Sequence, residues 1–489
     1  MCVAVVGGRQ EHATAPAVRR FAGPARPLAA VAALAIVMLL AAAAPGVEEA
    51  SARPNVVVIM TDDQDLKAMR VMDKTLRLLG RQGTTFKRFF ATTPRCCPSR
   101  ATFLTGQYAH NHGVRGGSGG FATAAFKEFR DENTLPVALK RAGYRTGYVG
   151  KYLNGYGDTG SSPRYIPPGW DSWRVPVRGT ATHQFGYTLN ENRRLTRYGS
   201  RPSDYQTDVY ARKALGFISG AAGGHRPFFL TVAPSAPHGE RGLELPRSPR
   251  PAPRHKGAFE GKALPTPPSF NERDVSDKPY FVRRLARLNG ADQRRLRERH
   301  QDRLASLLAV DDAVVKIVGE LRRRGELPNT VVMFTSDNGY LLGEHRLTEK
   351  TVLYEESARV PLIVRGPGFP SGAERHQITG NIDLAPTILD LADAESLRTM
   401  DGISLVPLAR QAAVAAGRDI LLENKLSAAV RTPEYMYARH PRGARELYDL
   451  RRDPFQLRSR HDDPALAGVR ATLAQRLAEL ENCAGESCR

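Results

Sequence analysis

The stretch Asn55-Val56-Val57-Val58-Ile59-Met60-Thr61-Asp62-Asp63 is a short apolar run that ends on two carboxylates. Continuous aliphatic residues, without the alternation of a half-exposed strand, predict a strand covered on both faces by helices. Four more runs have this form: Thr146 to Val149 before Gly150-Lys151, Phe228 to Ala233 before His238, Thr330 to Thr335 before Ser336-Asp337-Asn338, and Val360 to Val364 before Arg365-Gly366. Helical patterns lie between them. In Gln301 to Arg324, Leu304, Leu307, Leu308, Val315, Val318 and Leu321 recur at helical spacing and Gly325 supplies a stop. Residues 383–393 form another, with Asp383 at its start and Pro386 in its first turn. Strand alternating with helix predicts an α/β chain built on a largely parallel sheet.

In open α/β sheets, binding sites form outside the carboxyl ends of the strands, where several loops converge. Asp62 and Asp63 follow the first run, Lys151 the second, His238 the third, and Asp337 with Asn338 the fourth. Taken singly, an Asp-Asp pair or an Asp-Asn-Gly is an ordinary turn. Recurrence at successive strand ends makes these residues candidates for one shared site. Three carboxylates and an amide suit a hard cation such as Ca²⁺ or Mg²⁺, and the set lacks the Cys and His expected for zinc.

Cys96-Cys97-Pro98-Ser99-Arg100-Ala101-Thr102-Phe103-Leu104-Thr105-Gly106 places a thiol ahead of Pro, Ser and Arg at the start of a predicted helix. There, residue 96 would meet the positive end of the backbone dipole, which favours an anionic nucleophile and a bound anion alike. This stretch resembles the type I sulfatase signature. Residues 54–65, 93–114, 150–154, 336–340 and 381–390, with Met400-Asp401-Gly402 and the terminal cysteine pair, are similar to the N-acetylglucosamine-6-sulfatase branch of that family.

The resemblance implies an alkaline-phosphatase-like sandwich, with a large mostly parallel sheet flanked by helices and a smaller C-terminal subdomain carrying a small antiparallel sheet. It divides the chain into a leader at 1–53, a catalytic domain at 54–415 and the subdomain at 416–489. It also implies that a formylglycine-generating enzyme oxidises Cys96 to formylglycine. Asp62, Asp63, Asp337 and Asn338 then hold one Ca²⁺ together with residue 96, Arg100 steadies the hydrated aldehyde, and Lys151, His238 and Lys350 surround the sulfate. One hydroxyl of the hydrate attacks sulfur and expels the substrate alcohol, with His238 or Lys350 as proton donor, and the second hydroxyl eliminates sulfate. A serine or an unmodified cysteine could form the covalent sulfate but has no second hydroxyl to release it. Lys350 alone would read as a surface lysine. Its setting, with Thr348-Glu349 before it and Tyr354-Glu355-Glu356-Ser357 after, is typical of these enzymes. Many sulfatases carry a His two positions after the lysine equivalent to Lys151, whereas this chain has Leu153 there and then Asn154, as the glucosamine-sulfatase branch does. The implied substrate is 6-sulfated N-acetylglucosamine or a related sulfated glycan. A phosphodiesterase or phosphonate hydrolase of the same superfamily, and a catalytically silent sulfated-glycan-binding protein, are the alternatives.

Arg9, Arg19, Arg20 and Arg26, an apolar run from Pro27 to Ala44 and small residues at 50–52 have the layout of a secretory signal, or of a retained anchor. Cleavage would leave a secreted or otherwise extracytoplasmic protein with no stable membrane insertion. The formal charge of +21 over 489 residues attracts polyanions, sulfated glycans included. An Arg-rich coding bias would produce the same excess. No nucleic-acid-binding module is present in the sequence, and nucleic acid is not an expected partner. Five cysteines are too few for a disulfide scaffold. Cys2 falls in the leader, while Cys483 and Cys488 are expected to close a small loop in an oxidising compartment, with two free thiols as the alternative. Residues 240–290, rich in Pro from Pro246 to Pro268, read as a long surface excursion that, with residues 155–220, shapes the choice of sugar.

Overall fold

The computed structural model describes residues 53–115, 125–240, 248–411, 413–415 and 417–489, together with Ala17, Arg19 and Gly23. The expected leader, with Cys2, lies outside the described residues but for those three and Arg53, and so does Pro246. Among the described residues no helix is long and apolar enough to cross a membrane.

The first apolar run forms β1 (Asn55–Thr61). It is followed in chain order by β2 (Thr84–Phe90), β3 (Arg145–Gly150), β4 (Ser172–Val177), β5 (Thr188–Glu191), β6 (Arg194–Arg197), β7 (Phe228–Ala233) and β8 (Thr330–Ser336). Next come β9 (Leu341–Leu342), β10 (Thr348–Glu349), β11 (Leu362–Arg365) and β12 (Ala373–Gly380). Ten of them form one sheet in the order β12-β2-β11-β8-β1-β7-β3-β4-β5-β6, and β9 pairs with β10 separately. The neighbours β8, β1, β7 and β3 are parallel, and Val332, Val57, Leu230 and Gly147 stand in one register row. The four strands whose ends carry the candidate site residues are therefore adjacent, and their carboxyl ends share one edge. The fifth run, β11, lies antiparallel to β8.

The main helices are α1 (Cys96–Thr105), α2 (Leu135–Arg141), α3 (Gln206–Ala221), α4 (Gly290–Arg323), α5 (Leu384–Leu391) and α6 (Ala467–Leu480). Alternation along β1 sends Val56, Val58 and Met60 into a core with α1, α2 and α5, and Val57 and Ile59 into a second core with α3 and α4. Burial on both faces is why the run is apolar throughout. Every residue of α1 is buried, and the helix stops at Gly106 in the left-handed region at φ 67°. Helix α4 begins eleven residues earlier than its apolar spacing predicts, capped by Asn289, whose side chain accepts from the backbone of Ala291 and Asp292.

The chain ends in an antiparallel sheet of β13 (Ile420–Glu423), β14 (Ala428–Arg431), β15 (Tyr435–Arg439) and β16 (Arg445–Asp449). It is covered by Leu473, Leu477 and Leu480 of α6 and shares its core with Phe90, Tyr108 and Leu353. A disulfide joins Cys483 to Cys488.

Candidate active site

The carboxyl ends of the four central strands hold each other in place. Asp337 N donates to Thr61 O at 3.1 Å, Asp62 N to Ala236 O at 3.4 Å, and Lys151 N to Ala233 O at 2.8 Å. Asp63 turns into the left-handed region at φ 69°, and its N–H donates to Asp337 Oδ1 at 3.1 Å. Asn338 Nδ2 donates to Asp63 Oδ1 at 2.8 Å. Cys96 opens α1 with its side chain in this polar group, and its thiol accepts a hydrogen bond from Cys97. Asn154 Nδ2 stands 4.0 Å from Cys96 Sγ.

Four basic groups complete the set. Arg100, one turn along α1, donates through Nε to Asp337 Oδ2 at 2.8 Å and through Nη1 to Lys151 O at 2.6 Å. The Lys151 ammonium pairs with Asp62 and the Lys350 ammonium with Asp63. His238 follows the cis Ala236–Pro237 bond; its Nε2 lies 3.6 Å from Asp63 Oδ2 and its Nδ1 donates to Gly239 O at 2.6 Å. The side chains of Lys151 and Arg100 are 1% exposed, against 21% for His238 and 13% for Lys350. An incoming molecule meets the second pair first.

These contacts shift the acid–base behaviour of the group. Burial would raise the Asp62 carboxyl, but Lys151, and then His238, Arg100 and Lys350, hold it far below its ordinary value. Asp63 is likewise lowered against burial, chiefly by Lys350. Asp337 is pushed up to about 8 by burial and by the charge of Asp62. The His238 imidazole is pushed down by burial.

The donor set fits a hard divalent cation. Asp62 Oδ1 and Asn338 Oδ1 are buried oxygens with no hydrogen-bond donor in reach, and an orphaned buried oxygen is costly unless a cation or donor meets it. One ligand atom each from Asp62, Asp63 and His238 lies within 4.8 Å of the others. Every residue expected at the site from the sequence therefore arrives there: Asp62, Asp63, Cys96, Arg100, Lys151, His238, Asp337, Asn338 and Lys350. Sequence reasoning missed Arg303. From the buried face of α4 its guanidinium donates to Asp63 O and to Pro237 O and lies 3.9 Å over the Tyr340 ring, clamping the loops that carry Asp63 and His238.

The fold is alkaline-phosphatase-like. It matches a protein solved in complex with its substrate D-glucosamine-2-N,6-O-disulfate at a TM-score of 0.73 and 24% identity, over 88% of this chain and 97% of that one. The sulfatase family model matches residues 54–394, and the model of the N-sulphoglucosamine sulphohydrolase C-terminal region matches residues 343–483. N-acetylglucosamine-6-sulfatase of Homo sapiens is 34% identical over 497 residues, 91% of this chain and 87% of the relative. An extracellular sulfatase homolog of Drosophila melanogaster is 34% identical over 362 residues, 73% of this chain and 31% of the relative. The chain belongs to the sulfatase family and is a sulfuric ester hydrolase.

Proposed function

We propose that the protein is an exported, Ca²⁺-dependent sulfatase that removes the 6-sulfate of N-acetylglucosamine or of a related sulfated glycan, with formylglycine at position 96. The observation that carries this reading is the convergence of Cys96 with three carboxylates and four basic groups at one sheet edge of a sulfatase-family chain. The choice of sugar rests on the human relative, named for N-acetylglucosamine 6-sulfate, and on the glucosamine disulfate bound by the structural neighbour.

Asp62, Asp63, Asp337 and Asn338 would hold the cation with residue 96. When bound, Ca²⁺ supplies Lewis-acid polarisation and the hydrated aldehyde supplies an oxygen nucleophile with a second hydroxyl for sulfate release. Arg100 and Lys151, sealed from solvent, fix Asp337 and Asp62 in place. Lys350 reaches the sulfonyl oxygens as a charge contact. His238 donates Nδ1–H to Gly239 O and faces Asp63 with Nε2; as the imidazolium it would hand the Nε2 proton to the leaving alcohol.

The test is protein made alongside a formylglycine-generating enzyme, with mass spectrometry of the tryptic peptide 96–100 and assays on sulfate, phosphate and phosphonate esters. Aldehyde at position 96, with sulfate release that a chelator abolishes and Ca²⁺ restores, is the expected result. An unmodified thiol, or preference for phosphate or phosphonate esters, would overturn the reading.

A further inference from the structure

A cavity of about 440 Å³ opens beside the start of α1. Its inner wall is Thr93, Pro94 and Arg95, which lead into Cys96, and Thr351, which follows Lys350. Its outer wall comes from Tyr280 of the proline-rich excursion and from two turns of the C-terminal sheet, at 424–427 and 440–442. A second cavity of about 570 Å³ shares both turns and Arg115 and continues past Arg439 and Arg445. Each is of the size that takes a drug-sized ligand, so the two in succession exceed what one sugar ring fills.

The chemistry of the walls is uniform. Arg95, Arg115, Lys425 and Arg442 line the first cavity without an acid among its lining residues. In the second, Glu481 is paired with Arg439 and Glu423 with His110. Among the described residues four large apolar side chains are the exposed ones, and the two most exposed, Leu426 at 70% and Tyr280 at 56%, both line the first cavity. The Arg442 guanidinium lies 5.6 Å over the Tyr280 ring, and Arg442 holds a left-handed backbone at φ 62°, a conformation that is costly for a non-glycine residue. An exposed aromatic face beside cations is what a sugar with an anionic substituent requires: the ring packs on the C–H face and the cations meet the charge.

The walls are also built rather than loose. His440 Nε2 meets Glu446 Oε2 at 2.7 Å and its Nδ1 meets Ser427 Oγ at 2.9 Å, while Tyr354 donates to Glu446 Oε1 at 2.7 Å. Asn424 Nδ2 donates to Thr351 O at 2.9 Å, tying the β13–β14 turn to the segment that carries Lys350.

We propose that this groove is a subsite for the sugar next to the one bearing the scissile sulfate, with Tyr280 packing on its ring and Arg442, Lys425 and Arg115 pairing with its sulfate or carboxylate. The enzyme then acts on sulfated oligosaccharides in preference to monosaccharides. This inference rests on the sulfated-glycan reading of the site. The C-terminal sheet and Tyr280 line the first cavity, and no residue of 155–220 does.

The test compares wild type, Tyr280→Ala and Arg442→Ser on a heparin-derived tetrasaccharide and on a small aryl sulfate. The expected result is a fall of about tenfold or more in the ratio of kcat/KM for tetrasaccharide to that for aryl sulfate, carried by KM. An unchanged ratio in both variants would overturn the proposal, and because it is a ratio, partial misfolding does not move it. Should matured wild type hydrolyse neither compound, the sulfated-glycan reading of the site fails. The groove is then judged by tetrasaccharide affinity in a Cys96→Ala background: weaker binding on adding Tyr280→Ala upholds it, and equal binding sinks it.

Discussion

Cys96 and Cys97 are adjacent buried thiols in opposite electrostatic settings. A hydrogen bond from Cys97, and then the Lys151 and Lys350 ammonium groups, hold the Cys96 thiol well below its ordinary value against burial. The same hydrogen bond and burial push Cys97 up, and its sulfur accepts instead from Asn154 N at 3.1 Å. Cys96→Ala should therefore abolish turnover, by at least about a thousandfold. Its melting temperature should move by no more than about 2 °C, since the change removes a single small atom. Cys97→Ala should keep turnover within about tenfold of wild type while losing about 1 kcal/mol of stability. Steady-state kinetics and thermal melts of the pair decide it, and equal losses of activity would remove the assignment of residue 96. At this scale the candidate residues were legible because each follows an apolar run or sits in the Cys-x-Pro-Ser-Arg stretch, except Lys350, which only the family-like setting from Thr348 to Ser357 picks out. Arg303 was not, because its partners are the backbone carbonyls of Asp63 and Pro237, and a carbonyl leaves no mark in sequence.

Between β3 and β7 the backbones close up at Gly150, immediately before Lys151. Gly150 sits at φ 117°, and a Cβ there would come within 2.2 Å of Ala233 O. Gly150→Ala must open the two strands or twist Lys151 away from Asp62, so it should cost about 2–4 kcal/mol and lower kcat as well. Denaturant unfolding with parallel kinetics checks this, and wild-type values for both would show that the strands can part freely. A second junction carries a pH signature. His110 Nδ1 faces Glu423 Oε1 at 3.1 Å and Nε2 faces Cys483 O at 2.9 Å, so only the imidazolium donates to both. Burial alone would lower its pKa, but Glu423, Cys483 O and the charge of Asp401 raise it above the ordinary value. A raised folded-state pKa adds stability that is complete below the unfolded value and lost as pH climbs through the folded one. The stability gap between wild type and His110→Gln should thus be larger at about pH 5.5 than at about pH 8.5; a gap independent of pH would mean the ring is neutral throughout. The strands β1, β3, β7 and β8 were readable as apolar runs because both of their faces are buried. The first turns of α4 were not, since Arg299 and His300 are buried there and buried polar side chains look in sequence like a solvated face. The antiparallel direction of β11 was hidden too, because it depends on how residues 337–361 turn back and not on composition.

Across the whole molecule, a charge of +21 has two readings: an accident of Arg-rich coding, or a field that gathers polyanions. The two differ in their response to salt. Surface charges act over about 10 Å at 0.1 M ionic strength and about 3 Å at 1 M, so a general field weakens for every anion alike and only modestly for a compact one. A basic groove lined by Arg115, Lys425, Arg442 and Arg445, beside the segments that lead into Cys96 and out of Lys350, instead engages several charges of one chain at once, and their losses multiply as salt rises. Between about 0.05 and 0.5 M NaCl, kcat/KM for a sulfated tetrasaccharide should fall by about tenfold or more, while that for a small aryl sulfate falls by less than about threefold. The fall should sit in KM, because screening acts on encounter and binding and leaves the bound ester among His238 and Lys350 unaltered. Parallel salt profiles for the two substrates would assign the charge to solubility and leave the groove without an electrostatic role.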